Sequence, residues 1–151
     1  MLLIIKRLFF ILLTIGYMSF IWIQSSYFDP ESIAGFSSSL SHSVFLLIGA
    51  AFEIAHLFQF GLLYLCIVVV FLSFGKLRTW HEVTAVLIAL AYGMVDELHQ
   101  LYVPFRSFSI GDLLKDIIGI VVFWWVVHRS YFYNEGSKLG RWLRSFYLNL
   151  K

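Results

Sequence analysis

Charge is what this chain has least of. Asp, Glu, Lys and Arg supply 13% of its 151 residues, about half the share of an ordinary soluble domain, while 60% are hydrophobic and 19% aromatic. So small a polar complement excludes a soluble globular domain and points to lipid as the solvent. Two prolines, Pro30 and Pro104, leave long stretches in which nothing breaks a helix. The one cysteine, Cys66 inside "LLYLCIVVV", excludes a disulfide framework and reads as a packing residue. With no internal repeat, residues 1–151 read as a single polytopic membrane domain, with room for about four to six spans of about 20 residues each.

The runs place those spans. Leu8 to Ile23 follows Lys6 and Arg7 as a signal peptide would, but the bulky, polar "WIQSSYFDPES" offers no small-x-small cleavage site, so it reads as a retained first span. Gln24 to Ser43 is a polar loop without lysine or arginine. Val44 to Phe74 runs 31 residues without a strong breaker, about 46 Å as one helix against a hydrocarbon core of about 30 Å. We therefore expect an interfacial or re-entrant piece near 38–51, relaxed around Gly49, and a true span from about Ile54 to Phe74; a single tilted helix is the alternative. "GKLRTWHE" (75–82) is a short loop, Val83 to Tyr102 a third span, and Asp112 to Val127 a fourth. Pro104 separates the last two, and Ser109-x-x-Asp112 has the form of a capping box. The predicted fold class is an all-α membrane protein of about four transmembrane helices, the interfacial or re-entrant segment and a C-terminal amphipathic helix.

That last element is the basic tail 134–151. Within "KLGRWLRSFYLNLK", Leu139, Trp142, Leu143, Phe146, Tyr147 and Leu150 recur at helical spacing with bases opposite. We expect it to lie on the inner leaflet, adding anchorage and no core packing; anionic lipid accounts for its charge without nucleic acid. Positive charge also orients the spans. Lys6 and Arg7, Lys76 and Arg78, and the tail bases mark one side, whereas the third inter-span loop has only Arg106. By the positive-inside rule both termini and the 75–82 loop are cytoplasmic.

Polar residues then gather towards the outer side. Glu53 and His56 open the second span, Asp96, Glu97 and Gln100 close the third, and Asp112, Lys115 and Asp116 open the fourth. Gly93, Asp96, Glu97 and Gln100 follow i, i+3, i+4, i+7, as do Asp112, Lys115, Asp116 and Gly119, so each set lines one helix face and each glycine admits a neighbour. Asp112 in a first turn is explained equally by the helix dipole, but Asp96 and Glu97 sit in last turns, where the dipole disfavours acids, and intramembrane ionisable groups are site candidates. Arg106, between two acidic helix ends, is expected to fork onto their carboxylates, with Lys115 second. His42, His81, His99 and His128 read as interfacial. The candidate binding residues are Glu53, His56, Asp96, Glu97, Gln100, Arg106, Asp112, Lys115 and Asp116.

"DELHQLYVPFRSFSIGDLLKDIIG" resembles the signature of the VanZ-like family of small bacterial membrane proteins: Asp-Glu-x-x-Gln, Pro-x-Arg, Asp-x-x-x-Asp/Asn-x-x-Gly. Asp96, Glu97, Gln100, Pro104, Arg106, Asp112, Asp116 and Gly119 match it, and His56, Phe60 and Leu63 answer a His-Phe-x-x-Tyr-x-x-Leu element, with phenylalanine for the tyrosine. The likeness covers about 53–122. Glu53 stands where the family usually has a base, and Phe105 where it usually has glycine. The resemblance implies a bacterial plasma-membrane protein concerned with teicoplanin or other glycopeptide tolerance, or with the cell envelope, and supplies no reaction.

Three function classes remain. The first is a non-catalytic protein whose outward-facing site binds a membrane lipid headgroup, a lipid-linked wall precursor or a lipoglycopeptide; its excess of acids over bases calls for protonation or a bound cation. The second is an intramembrane enzyme on a lipid-linked envelope substrate, with His56 and Glu97 as base and acid. The third is a small transporter, for which four spans offer little room. A His56–carboxylate metal site is conceivable, but no HExxH or equivalent spacing occurs, so no metal or cofactor is expected. No nucleic-acid partner is expected either.

Overall fold

The structure is a computed structural model. It describes residues 2–27, 41–104 and 106–148, those at 2, 42, 45, 48–53, 147 and 148 by their backbone alone. Five α-helices follow in order: α1 (Leu2–Tyr27), α2 (His42–Phe74), α3 (Thr79–Gln100), α4 (Ile110–His128) and α5 (Lys138–Leu148). Among the described residues there is no strand. Among the described residues two segments, Leu3–Tyr27 and Ile54–Phe74, are long and apolar enough to cross a membrane.

Local chemistry explains the boundaries. α3 opens where Arg78 is extended and its N–H donates to His81 Nδ1 at 3.0 Å. α4 opens at Ser109, whose Oγ accepts from the Asp112 N–H at 3.2 Å, the cap that Ser109-x-x-Asp112 foretells. α4 ends in one widened turn, Arg129–Tyr133, closed by the Asn134 N–H on the Arg129 carbonyl at 3.0 Å.

α2 is the central helix, packed by α1, α3, α4 and α5. Its Phe60, Leu63, Tyr64, Val68 and Leu72 are fully buried with Ile21 of α1, Ala85 and Ala89 of α3, and Ile120 and Val127 of α4. The exterior is apolar as well: Leu12, Phe20, Leu87, Leu114, Ile118 and Trp125 are exposed, whereas Glu82, Asp96, Glu97, Gln100 and Asp116 are buried. A contiguous apolar exterior around buried charge suits hydrocarbon and would associate in water.

Two expectations are corrected. The break expected around Gly49, between an interfacial or re-entrant piece and the span, gives way to the single-helix alternative, one uninterrupted helix of 33 residues from His42 to Phe74, because one glycine costs a helix only about 1 kcal/mol and no proline lies in the run; residues 38–40 are outside the described residues. The tail also does more than anchor. Leu143 of α5 is fully buried in the core, Leu139 and Phe146 pack against it, and the Phe146 ring meets Phe10 edge-on at 5.0 Å. Arg144 donates to the carbonyls of Tyr131 at 2.7 Å and Glu135 at 3.0 Å, and a β-carbon on Gly140 would strike the Ser130 carbonyl oxygen. The widened turn after α4 folds α5 back onto the bundle, which the spacing of its apolar residues cannot reveal.

The same contacts bring the basic segments to one end. Arg7 Nε donates to the Ser73 carbonyl at 3.1 Å, and the Leu77 N–H to the Tyr131 hydroxyl at 3.3 Å. Also towards this end, Glu82, fully buried, pairs through Oε2 with His128 Nδ1 at 2.7 Å. From sequence alone Glu82 falls in a loop and His128 at an interface; the fold buries one against the other.

Candidate functional site

The opposite end of the bundle holds the polar cluster. It forms where the end of α1, the middle of α2, the end of α3 and the start of α4 converge. Tyr17 donates its hydroxyl proton to the Gln59 carbonyl at 3.0 Å and Tyr92 to the Met18 carbonyl at 2.6 Å, tying α1 to α2 and α3. α4 lies against α2 because Gly119 has no side chain: a β-carbon there would strike the Leu57 carbonyl oxygen. Gly93 likewise leaves space beside Asp116 Oδ2, 3.2 Å from where its β-carbon would stand. Both glycines therefore do what their spacing predicts.

Gln100 is the hub. Its Oε1 accepts from Arg106 Nη2 at 2.8 Å and from Nε at 3.2 Å. Its Nε2 donates to Asp96 Oδ2 at 3.0 Å and to Glu97 Oε1 at 3.2 Å. The guanidinium fork thus closes on an amide oxygen, and in the described contacts Gln100 carries its polarisation to the two acids, where a direct fork onto a carboxylate was expected. The reason is reach: Gln100 is one turn beyond Asp96 on the same face, between the acids and the connection that carries Arg106. Glu97 Oε2 also accepts the Ser109 N–H at 2.9 Å, so the last turn of α3 is joined to the cap of α4.

On the α2–α4 side, His56 Nε2 stands 3.1 Å from Asp116 Oδ1. With His56 protonated the two form an ion pair; beyond each other, neither oxygen of Asp116 nor His56 Nε2 has a hydrogen-bond partner among the described residues, though all three atoms are buried. Lys115 pairs with Asp112 at 2.6 Å near the surface, one turn along α4. Of the predicted residues, His56, Asp96, Glu97, Gln100, Arg106 and Asp116 come together, Asp112 and Lys115 form their rim, and the side chain of Glu53 lies outside the described residues.

A half-open cavity of about 70 Å³ enters the cluster between Gln24, Ser25, His56, Gln59, Asp96, Gln100 and Arg106. Gln24, Ser25 and Gln59 were not singled out from sequence. A signal existed: Gln59 lies three residues after His56 on the same helical face, and Gln24 and Ser25 end the first apolar run at the depth of the acids. The chain also brings His56, Glu97 and Asp116 together, one ligand atom of each lying within 4.8 Å of the others. They come from three different helices, so no one-helix spacing rule finds them.

The described residues define a small all-helical protein with an apolar exterior and a buried ionisable cluster at one end of its bundle. The sequence model of the VanZ/LLP1 family matches residues 8–132, and the chain belongs to that family. No curated protein and no solved structure matches it.

Proposed function

We propose that this is a multi-pass protein of the bacterial plasma membrane, with α1 to α4 spanning it, both termini cytoplasmic, and the cluster around Gln100 opening outward to bind the polar headgroup of a lipid-linked envelope molecule. Through that binding it contributes to glycopeptide tolerance or envelope homeostasis. The orientation rests on the basic residues gathered at the end opposite the cluster.

The observation that carries the reading is the half-open cavity, whose wall combines Arg106, Asp96, Gln100 and His56. Such groups are costly at membrane depth and are retained where a polar partner must be met. At about 70 Å³ the cavity is of a size for one charged group, and the remainder of a wall precursor would lie outside the bundle. A phosphate or an amine next to a lipid tail fits that size and depth.

Purified protein in nanodiscs, incubated with labelled lipid-linked wall precursor, phosphatidylglycerol and phosphatidylethanolamine, tests this. Saturable retention of one of them, weakened about tenfold or more by Arg106→Ala, is the expected result, since a hydrogen bond to a charged group contributes about 1.5–3 kcal/mol. Equal retention by wild type and Arg106→Ala would remove the site from the function, and appearance of a product would move the protein to the enzyme class.

A further inference from the structure

We infer that His56 Nε2, one oxygen of Glu97 and one oxygen of Asp116 are the ligands of a divalent cation. Three observations support this. The ligand atoms lie within 4.8 Å of one another, so small side-chain movements bring them to a common centre with bonds of about 2.0–2.2 Å. Two ligands about such a centre are separated by about 3.0–3.5 Å, and His56 Nε2 and Asp116 Oδ1 are already 3.1 Å apart.

The second observation is Asp116 itself. Its residue is 1% exposed, and apart from the facing His56 imidazole neither carboxylate oxygen has a hydrogen-bond partner among the described residues. A buried carboxylate left in that state is costly unless it is neutralised or coordinated. Asp96 Oδ1, also buried and without a hydrogen-bond partner among the described residues, belongs to a residue lining the cavity beside His56.

Charge is the third. Asp96, Glu97, Asp112 and Asp116 face Arg106 and Lys115, an excess of two negative charges among the described side chains at this end with His56 neutral, and of one with it protonated. Among the described contacts, Lys115 pairs with Asp112 and Arg106 forks onto Gln100. A divalent cation at the His56–Asp116 edge balances the cluster with His56 neutral. One imidazole with two carboxylates, and no thiolate, suits Zn²⁺ or Mn²⁺ over soft ions on one side and Mg²⁺ on the other. The inference deepens the headgroup reading, because a cation beside the cavity gives an acid-rich wall the positive charge that a lipid phosphate requires.

The test uses the full chain in nanodiscs, stripped with chelator and dialysed against Zn²⁺ or Mn²⁺, with bound metal measured by mass spectrometry. We expect about one ion per chain, an affinity lowered about tenfold or more by Asp116→Asn and by His56→Gln, and no change in His81→Gln, a histidine at the other end of the bundle. The Mn²⁺-loaded protein should show imidazole nitrogen modulation in pulsed electron paramagnetic resonance that His56→Gln abolishes. Wild-type occupancy far below one ion, wild-type Mn²⁺ without nitrogen modulation, or binding that survives in folded Asp116→Asn would each overturn the site. If a variant does not fold, the wild-type nitrogen signal decides alone. Metal bound without retention of any lipid would leave this site standing and sink the headgroup reading, whereas lipid retained by protein that binds no metal would do the reverse.

Discussion

At the scale of single residues, Gln100 is the least replaceable group of the cluster after Arg106, because its amide presents an acceptor to one side and two donors to the other. A carboxylate in its place would still attract Arg106 but would offer no proton to Asp96 or Glu97, and an alkyl chain would offer neither. Arg106→Ala and Gln100→Leu should therefore each lower headgroup retention about tenfold or more, and the double variant should lose little beyond the larger single loss, since the two act as one unit. The cycle is read from retention isotherms of the four proteins; additive losses would show that Arg106 acts on the ligand independently of Gln100. The sequence announces Asp96, Glu97 and Gln100 through i, i+3, i+4, i+7 spacing, and it leaves the Gln100 contact of Arg106 unseen because a helix face says which side chains are neighbours along one helix and nothing of which one intervenes between loop and helix. His56 and Asp116 were likewise legible as site residues, while their contact at 3.1 Å depends on the approach of α4 to α2.

At the scale of elements, that approach rests on Gly119 against the Leu57 carbonyl. Gly119→Ala should part the two helices, lower stability by roughly 1–3 kcal/mol as overpacking does, and weaken site binding more than a substitution of similar volume on the lipid face, such as Val121→Leu. Thermal unfolding in detergent together with the retention assay checks this, and an unchanged midpoint and unchanged retention would mean that the helices are not in van der Waals contact there. α5 makes the second case. Truncation after Tyr133 removes Leu143, whose burial in the core is worth on the order of 2–5 kcal/mol by comparison with large-to-small substitutions. The truncated chain should unfold at a lower temperature and accumulate less in the membrane; equal stability would return α5 to the purely interfacial role that its amphipathic spacing suggests. Helix existence was readable from runs of apolar residues broken by Pro104 and capped at Ser109. The continuity of α2 through Gly49 was legible only as the single-helix alternative, and the docking of α5 was not, because it depends on what the rest of the bundle supplies.

At the scale of the whole molecule, buried charge among the described residues occupies two places, with much of the exterior left to apolar side chains. Glu82 with His128 lies towards the end where the basic segments meet, and the cluster around Gln100 towards the other. The asymmetry of Lys and Arg is a one-dimensional signal and was legible without a structure; the pairing of Glu82 with His128 joins residues 46 positions apart and was not. If the cluster end faces outward, a ligand reaches it from the cell surface, and the protein can meet a wall precursor or a lipoglycopeptide at the leaflet where each is found. The most direct measurement is labelling by a membrane-impermeant thiol reagent on intact cells, using single cysteines at Ser107 or Thr79 in a chain whose Cys66 is replaced by alanine. An outward-facing site requires Ser107→Cys to be labelled in intact cells and Thr79→Cys only after permeabilisation. Labelling of Thr79→Cys alone would place the polar cluster on the cytoplasmic side and contradict it.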